Sequence, residues 1–335
     1  GVGSIVEPVT AVSKLRRRQR PQSPAQLWTR PRIADQLAAG QGGPAGAANC
    51  APARGFSRKA GMSESEILVS VDGPIRTVTL NRPAKRNALS PEMLAAATEA
   101  FSGEPDPAER VAVIRSTGPV FCAGVDLQRR LDDTEGPSPD PARDPEYPPA
   151  SGVGSLPGSA VERLFYAVQE WPLPVVAVVQ GDAIAGGNEL ALHSDLVVAS
   201  TKANFGMSLA QIGLAPTWFL TKKLLDVAGP AVTREILLLG DPLPAPRLAE
   251  LGVISRVVPP HRLAVEADLV INRLAANAPL SLRAIKGVIN REMAFRDQIE
   301  HADVDALVAA AAASEDSRIG IAARLAKEAP DFQGR

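Results

Sequence analysis

The chain has 335 residues, 45% of them hydrophobic and 22% charged, enough apolar content for a sizeable buried core. No apolar run approaches the ~20 residues needed to cross a bilayer, which argues against a membrane-spanning role; two cysteines (Cys50, Cys122) and three scattered histidines (His193, His261, His301) make neither a disulfide framework nor a metal centre. The net charge of −1 hides an asymmetry: residues 1–61 carry ten Lys or Arg against Glu7 and Asp35, a net +8, and residues 62–335 carry the balancing −9.

Residues 1–61 are rich in Ala, Pro, Gly and Arg and show no hydrophobic period, so they bury too little apolar surface to offset the entropy of ordering them. The run Lys14-Leu15-Arg16-Arg17-Arg18-Gln19-Arg20 admits three readings: a solvated disordered tail, an Arg-rich organellar presequence, or a nucleic-acid arm. The last is weakened by the lack of interleaved aromatics beyond Trp28, and nucleic acid is not the expected partner. Met62 is also placed to be a natural start. Low cysteine usage fits a reducing compartment, so the expected location is cytoplasmic, or mitochondrial if the extension is a presequence.

Order is expected from Ile67 onward. Ile67–Val71 and Ile75–Leu80 are β-rich runs joined by Asp72-Gly73-Pro74, a hairpin pattern. Ser90-Pro91-Glu92 supplies an N-cap and a helix-starting proline for a helix to about Phe101. Val111–Ile114 is a continuous apolar run, as for a strand buried on both faces. Seven prolines and four glycines between Asp132 and Gly158 predict a loop or lid. A helix at 160–171, a strand at 175–179, a short helix from Gly186 to Leu192 and a strand at 195–199 follow. Beyond Thr217 the pattern reads as nearly all helix, near 218–228, 231–239, 261–277, 280–295, 300–313 and 315–328. Strands alternating with helices, then a helical tail, predict an α/β core with a helical C-terminal module.

Two turns carry small residues where a backbone must approach something closely. One is Ser116-Thr117-Gly118-Pro119-Val120-Phe121-Cys122-Ala123-Gly124-Val125-Asp126-Leu127, leaving a buried strand. The other, Gln180-Gly181-Asp182-Ala183-Ile184-Ala185-Gly186-Gly187-Asn188-Glu189-Leu190, leaves the next strand and enters a helix, so free N–H groups and the positive end of the helix dipole coincide. Alone, each turn reads more readily as a tight packing junction.

Together with Val78-Thr79-Leu80-Asn81-Arg82-Pro83, Asn87-Ala88-Leu89, Asp195-Leu196-Val197-Val198-Ala199-Ser200 and the end Pro330-Asp331-Phe332-Gln333-Gly334-Arg335, these turns make the chain resemble the crotonase (enoyl-CoA hydratase/isomerase) superfamily from Ile67 to Arg335. The resemblance implies an α/β fold with a ββα spiral core over 62–260 and a C-terminal helical trimerisation region over 261–335, assembled as a homotrimer or hexamer. It also implies an acyl-CoA thioester as partner, coenzyme A arriving with the substrate rather than as a separate cofactor, and no metal.

By position, the resemblance gives the backbone N–H groups of Val125 and Gly186 to an oxyanion hole and Glu189 to acid/base catalysis. Lys85, Arg86, Ala123, Asp126 and Lys327 fall at its coenzyme A contacts, Lys327 toward a neighbouring subunit's ligand. Asp126 is read more readily as structural. The chain departs from the hydratase pattern at Leu209, where a second glutamate is expected, and Thr217 stands where dienoyl-CoA isomerases carry an acid. One-carboxylate chemistry (allylic proton shift, decarboxylation, thioester hydrolysis) therefore competes with hydration, and a non-catalytic acyl-CoA- or RNA-binding role is a third reading. His193, four residues after Glu189, shares its helix face as a partner or as packing. Cys122 reads as a buried small residue, and Trp218 and Phe219 as either acyl-pocket walls or core.

Overall fold

The computed structural model describes residues 65–127 and 158–335. The basic run near the N-terminus lies outside them, as does the Pro-rich stretch at 132–158 apart from Gly158.

β1 (Ile67–Asp72) and β2 (Ile75–Leu80) form the expected hairpin, paired from Ile67↔Leu80 to Asp72↔Ile75. β2 then pairs in parallel with β3 (Val111–Ser116), β3 with β4 (Val175–Val179), β4 with β6 (Leu196–Ser200) and β6 with β9 (Arg256–Val258), giving one sheet in the order β1-β2-β3-β4-β6-β9. The continuous apolar runs follow from burial on both faces. Ala112, Ile114, Val175, Ala177, Val197 and Ala199 enter the main core, while Val111, Val113, Val176, Val178 and Val198 face a second apolar layer.

Helices cover the two faces. α1 (Pro91–Ala100) starts at Ser90, whose hydroxyl accepts from the Met93 N–H at 3.2 Å, and buries Met93, Leu94, Ala97 and Ala100 at helical spacing. α2 (Ala160–Glu170) opens with a capping box between Ser159 and Glu162 and buries Leu164, Phe165 and Val168 in the main core. The second face is closed by α6 (Leu263–Ala275) through Leu263, Ala267, Val270 and Ile271.

The all-helical reading beyond Thr217 needs correcting. α4 (Trp218–Arg234) breaks at Gly229 (φ +67°) and Pro230, as the two expected segments imply. After it, however, come β8 (Leu243–Pro244), α5 (Ala245–Glu250) and β9. β8 joins β5 (Ala183–Ile184) and β7 (Asn204–Gly206) in a small second sheet, β5-β7-β8. Strands of two or three residues are too short to show a period-2 pattern; tertiary pairing makes them. α7 (Pro279–Met293), α8 (Ala302–Ala313) and α9 (Glu315–Ala326) complete the chain close to their expected bounds.

Candidate active site

The site is built where the β3 turn meets α3 (Gly186–Leu192), the short helix after β5. Asn87 braces the first turn: its buried side chain accepts from the Arg82 N–H at 2.8 Å and donates to the Thr117 and Val120 carbonyls, both at 2.8 Å. Leu89 N–H donates to Gly124 O at 2.7 Å, and Asp126 N–H donates to Leu89 O at 3.1 Å. In an extended segment successive N–H groups alternate in direction, so pairing of 124 and 126 on one side turns the Val125 N–H to the other.

Two of the glycines at this junction, Gly124 and Gly187, are dictated by contact. Gly124 has φ +93°, and a Cβ there would stand 3.0 Å from Ile184 O and 3.2 Å from the Gly186 nitrogen. A Cβ on Gly187 would stand 2.2 Å from Cys122 O, so any side chain there would push the two turns apart. A Cβ on Gly186 would lie 3.6 Å from Val125 N, which places the two amides side by side. Ala185 turns the chain into α3 at φ +50°, its own N–H held by Gly206 O at 2.7 Å; a non-glycine residue there is strained, as functional turns often are. Among the described residues neither the Val125 nor the Gly186 N–H donates a hydrogen bond.

Val125 and Gly186 border a cavity of about 960 Å³, with Glu189 on its wall and apolar side chains such as Leu220, Met207 and Val161 around it. The Glu189 carboxyl is fully buried. Burial pushes its pKa up to about 8, against the lowering effects of an Asn188 amide bond and nearby Lys223, and Glu162 pushes it further up. Asn188 Nδ2 donates to Oε1 at 3.1 Å, whereas Oε2 has no hydrogen-bond partner among the described residues. A carboxyl that keeps its proton near neutrality and has one oxygen free can give or take a proton inside the cavity.

His193 lies one turn along α3. Its Nδ1 is 2.9 Å from the Glu189 carbonyl oxygen and 3.6 Å from Oε2. Burial, with Lys223 adding to it, holds the imidazole well below its usual range, so it is neutral. Phe165 and Phe219 stack on its two faces at 5.3 Å and 4.9 Å between centroids. His193 therefore packs and orients the Glu189 turn. Phe219 belongs to that stack and packs against the main core, whereas Trp218, half-buried, stacks on His301 at 4.6 Å; neither side chain borders the cavity.

Lys85, Arg86, Ala123 and Asp126 all border the cavity, the two basic residues exposed at its mouth. Asp126 is engaged by Arg82 Nη1 at 2.9 Å, which agrees with a structural part for it. Lys327 does not border this cavity; it caps the end of α9 beside an adjoining depression of about 520 Å³ that touches Phe332 and shares Gln211 and Arg324 with the cavity. Cys122 is buried, its thiol pushed up to about 12 by burial, which leaves it unreactive. Leu209 and Thr217, neither of them acidic, both border the cavity.

Sequence reasoning missed Glu162. It stands on α2, borders the cavity, and is 6% exposed. Ser159-x-x-Glu162 is legible as a capping box, but nothing local says that its carboxyl also meets Thr217 on α4. Among the described residues no three His, Cys, Asp or Glu side chains group to hold a metal ion.

A model of the enoyl-CoA hydratase/isomerase family matches residues 71–335. The chain is 32% identical over 275 residues to enoyl-CoA hydratase EchA19 of Mycobacterium tuberculosis, covering 82% of this chain and 98% of that protein. It is 34% identical over 281 residues to 1,2-epoxyphenylacetyl-CoA isomerase of Escherichia coli, covering 80% and 98% respectively. Among solved structures, an enoyl-CoA hydratase/isomerase from Pseudoalteromonas atlantica superposes with a TM-score of 0.64 at 28% identity over 80% of this chain and all of that one. A methylmalonyl-CoA decarboxylase shares the fold, with a TM-score of 0.68 at 23% identity over 82% of this chain and 100% of that one.

Proposed function

The chain belongs to the enoyl-CoA hydratase/isomerase family, and from that membership we propose that it processes acyl-coenzyme A thioesters by proton transfer at the carbon next to the thioester carbonyl. The carbonyl oxygen sits between the Val125 and Gly186 amides, and charge that develops on it as an enolate forms is taken by those two donors, each worth about 3–4 kcal/mol. Glu189 gives the α-carbon its proton in one direction and removes it in the other. The amides carry the oxygen's charge, so this chemistry calls for no metal and no separate cofactor. Lys85 and Arg86 meet the coenzyme A phosphates at the mouth, and Lys327 does so from a neighbouring subunit of a homotrimer or hexamer.

The observation that carries this reading is the placement of two acceptor-free amides and a buried, half-satisfied carboxyl on the wall of one cavity. A panel of trans-2-enoyl-CoA and 3-enoyl-CoA thioesters of increasing chain length tests it. Wild type should convert at least one, and Glu189→Gln should lower its kcat by about 10²–10⁴-fold. Equal turnover in both proteins would remove Glu189 from the chemistry. Leu209 supports a second reading, a one-carboxylate reaction such as decarboxylation or thioester hydrolysis; release of carbon dioxide or free coenzyme A from the matching substrates separates it.

A further inference from the structure

Adding water across a carbon–carbon double bond is normally run by two proton-handling groups, one to deliver a proton to carbon and one to take a proton from water. Glu189 supplies one, and Leu209 cannot be the other. The same cavity holds a second carboxyl group in Glu162. Its Oε2 accepts from the Ser159 hydroxyl at 2.8 Å and the Ser159 N–H at 3.3 Å, and its Oε1 accepts from the Thr217 hydroxyl.

Glu162 and Glu189 both border this cavity, and the packing around His193 links them. Phe165 follows Glu162 by one helical turn of α2 and stacks on His193, whose Nδ1 is 3.6 Å from Glu189 Oε2. Thr217 caps α4, whose Phe219 covers the opposite face of His193. The Glu162–Thr217 bond thus joins the two helices that clamp the imidazole beside Glu189. Capping α2 needs only the Ser159 contacts; it does not require the far oxygen to be fixed by a residue 55 positions away at a cavity wall. Three donors on four lone-pair positions leave one acceptor site for a water.

We propose that Glu162, held by Ser159 and Thr217, is the second catalytic carboxylate and makes this chain a hydratase, resting on the reading of Glu189 and the amide pair given above. Glu162 accepts a proton from water as the water oxygen bonds to C3 of a trans-2-enoyl-CoA. The C2=C3 electron pair moves into the enolate held by the Val125 and Gly186 amides, and Glu189 then protonates C2. The product is the 3-hydroxyacyl-CoA; the proton left on Glu162 is lost to solvent and Glu189 regains one, so water is the sole reactant added.

Glu162→Gln separates catalysis from architecture, because glutamine keeps the size, accepts from Ser159 and bonds Thr217, but takes up no proton. Two readouts are followed in wild type, Glu162→Gln and Glu189→Gln: hydration of crotonyl-CoA and of trans-2-decenoyl-CoA, and exchange of the α-protons of butyryl-CoA with D2O, which needs no water addition. The expected result is a fall of at least 100-fold in hydration by Glu162→Gln with exchange reduced less than tenfold, while Glu189→Gln loses both. Hydration by Glu162→Gln within threefold of wild type overturns the proposal, as does a parallel loss of both reactions with a lowered Tm, which marks a structural tie. A wild type that exchanges α-protons but hydrates neither enoyl-CoA also overturns it and leaves the Glu189 reading standing. Exchange that survives in Glu189→Gln is the separate failure of that reading.

Discussion

A carboxyl sealed in an apolar cavity with a single amide donor keeps its proton to higher pH than a solvated one, and Glu189 does so to about 8. Two consequences have opposite signs for the two directions of chemistry. With Glu189 in the proposed role, proton donation to C2 should fall as pH rises through about 8, whereas proton removal from a saturated acyl-CoA should rise over the same interval; both limbs should show in kcat/KM and vanish in Glu189→Gln. Stability follows the same group. The folded state holds this proton above pH 4.5 where the unfolded chain releases it, so stability is full below about 4.5 and is lost as pH climbs to about 8. Chemical denaturation of wild type and Glu189→Gln at pH 5 and pH 9 should show the variant gaining a few kcal/mol (order of magnitude) on wild type at the higher pH. Parallel curves for the two proteins would mean that the Glu189 side chain reaches water.

At the level of elements, legibility tracks length and burial. Val175–Val179 was readable because a strand buried on both faces must be apolar throughout, and Gly186–Leu192 because it opens on a glycine pair, of which Gly187 is demanded by the contact with Cys122. Arg256–Val258 was not readable, since three residues at a sheet edge acquire their strand character from pairing with Val198, Ala199 and Ser200. Glu162 escaped for a related reason: its cap is local, while its contact with Thr217 spans two helices. Long-range polar ties of this kind also hold the C-terminal helices. Lys286 on α7 is buried, donates to Asp195 Oδ2 at 2.7 Å and to the Leu173 carbonyl at 3.2 Å, and its pKa is lowered by burial against the pull of Asp195. Lys286→Met should cost about 2–4 kcal/mol by leaving those acceptors without their buried cation. Urea titration reads it out, and an unchanged midpoint would place the anchoring of α7 in its apolar contacts alone.

On the scale of the whole molecule, the C-terminal helices leave much apolar surface uncovered in the single chain. Leu280 is 79% exposed, Leu307 71% and Val288 62%. Surface of that kind is usually buried against another copy. Light scattering should return a mass of three or six chains, and Leu280→Glu with Leu307→Glu should lower it; a monomer at micromolar concentration would remove the assembly from the account and with it the part given to Lys327. One cavity is bordered by Val125, Gly186 and Glu189, the groups to which the proposal gives the thioester oxygen and its neighbouring carbon. The most direct test is mass spectrometry of an acyl-CoA recovered from D2O after incubation with enzyme. The account predicts deuterium at C2, with labelling slowed about 10²–10⁴-fold by Glu189→Gln; thioester returned unlabelled by the wild-type protein would contradict it.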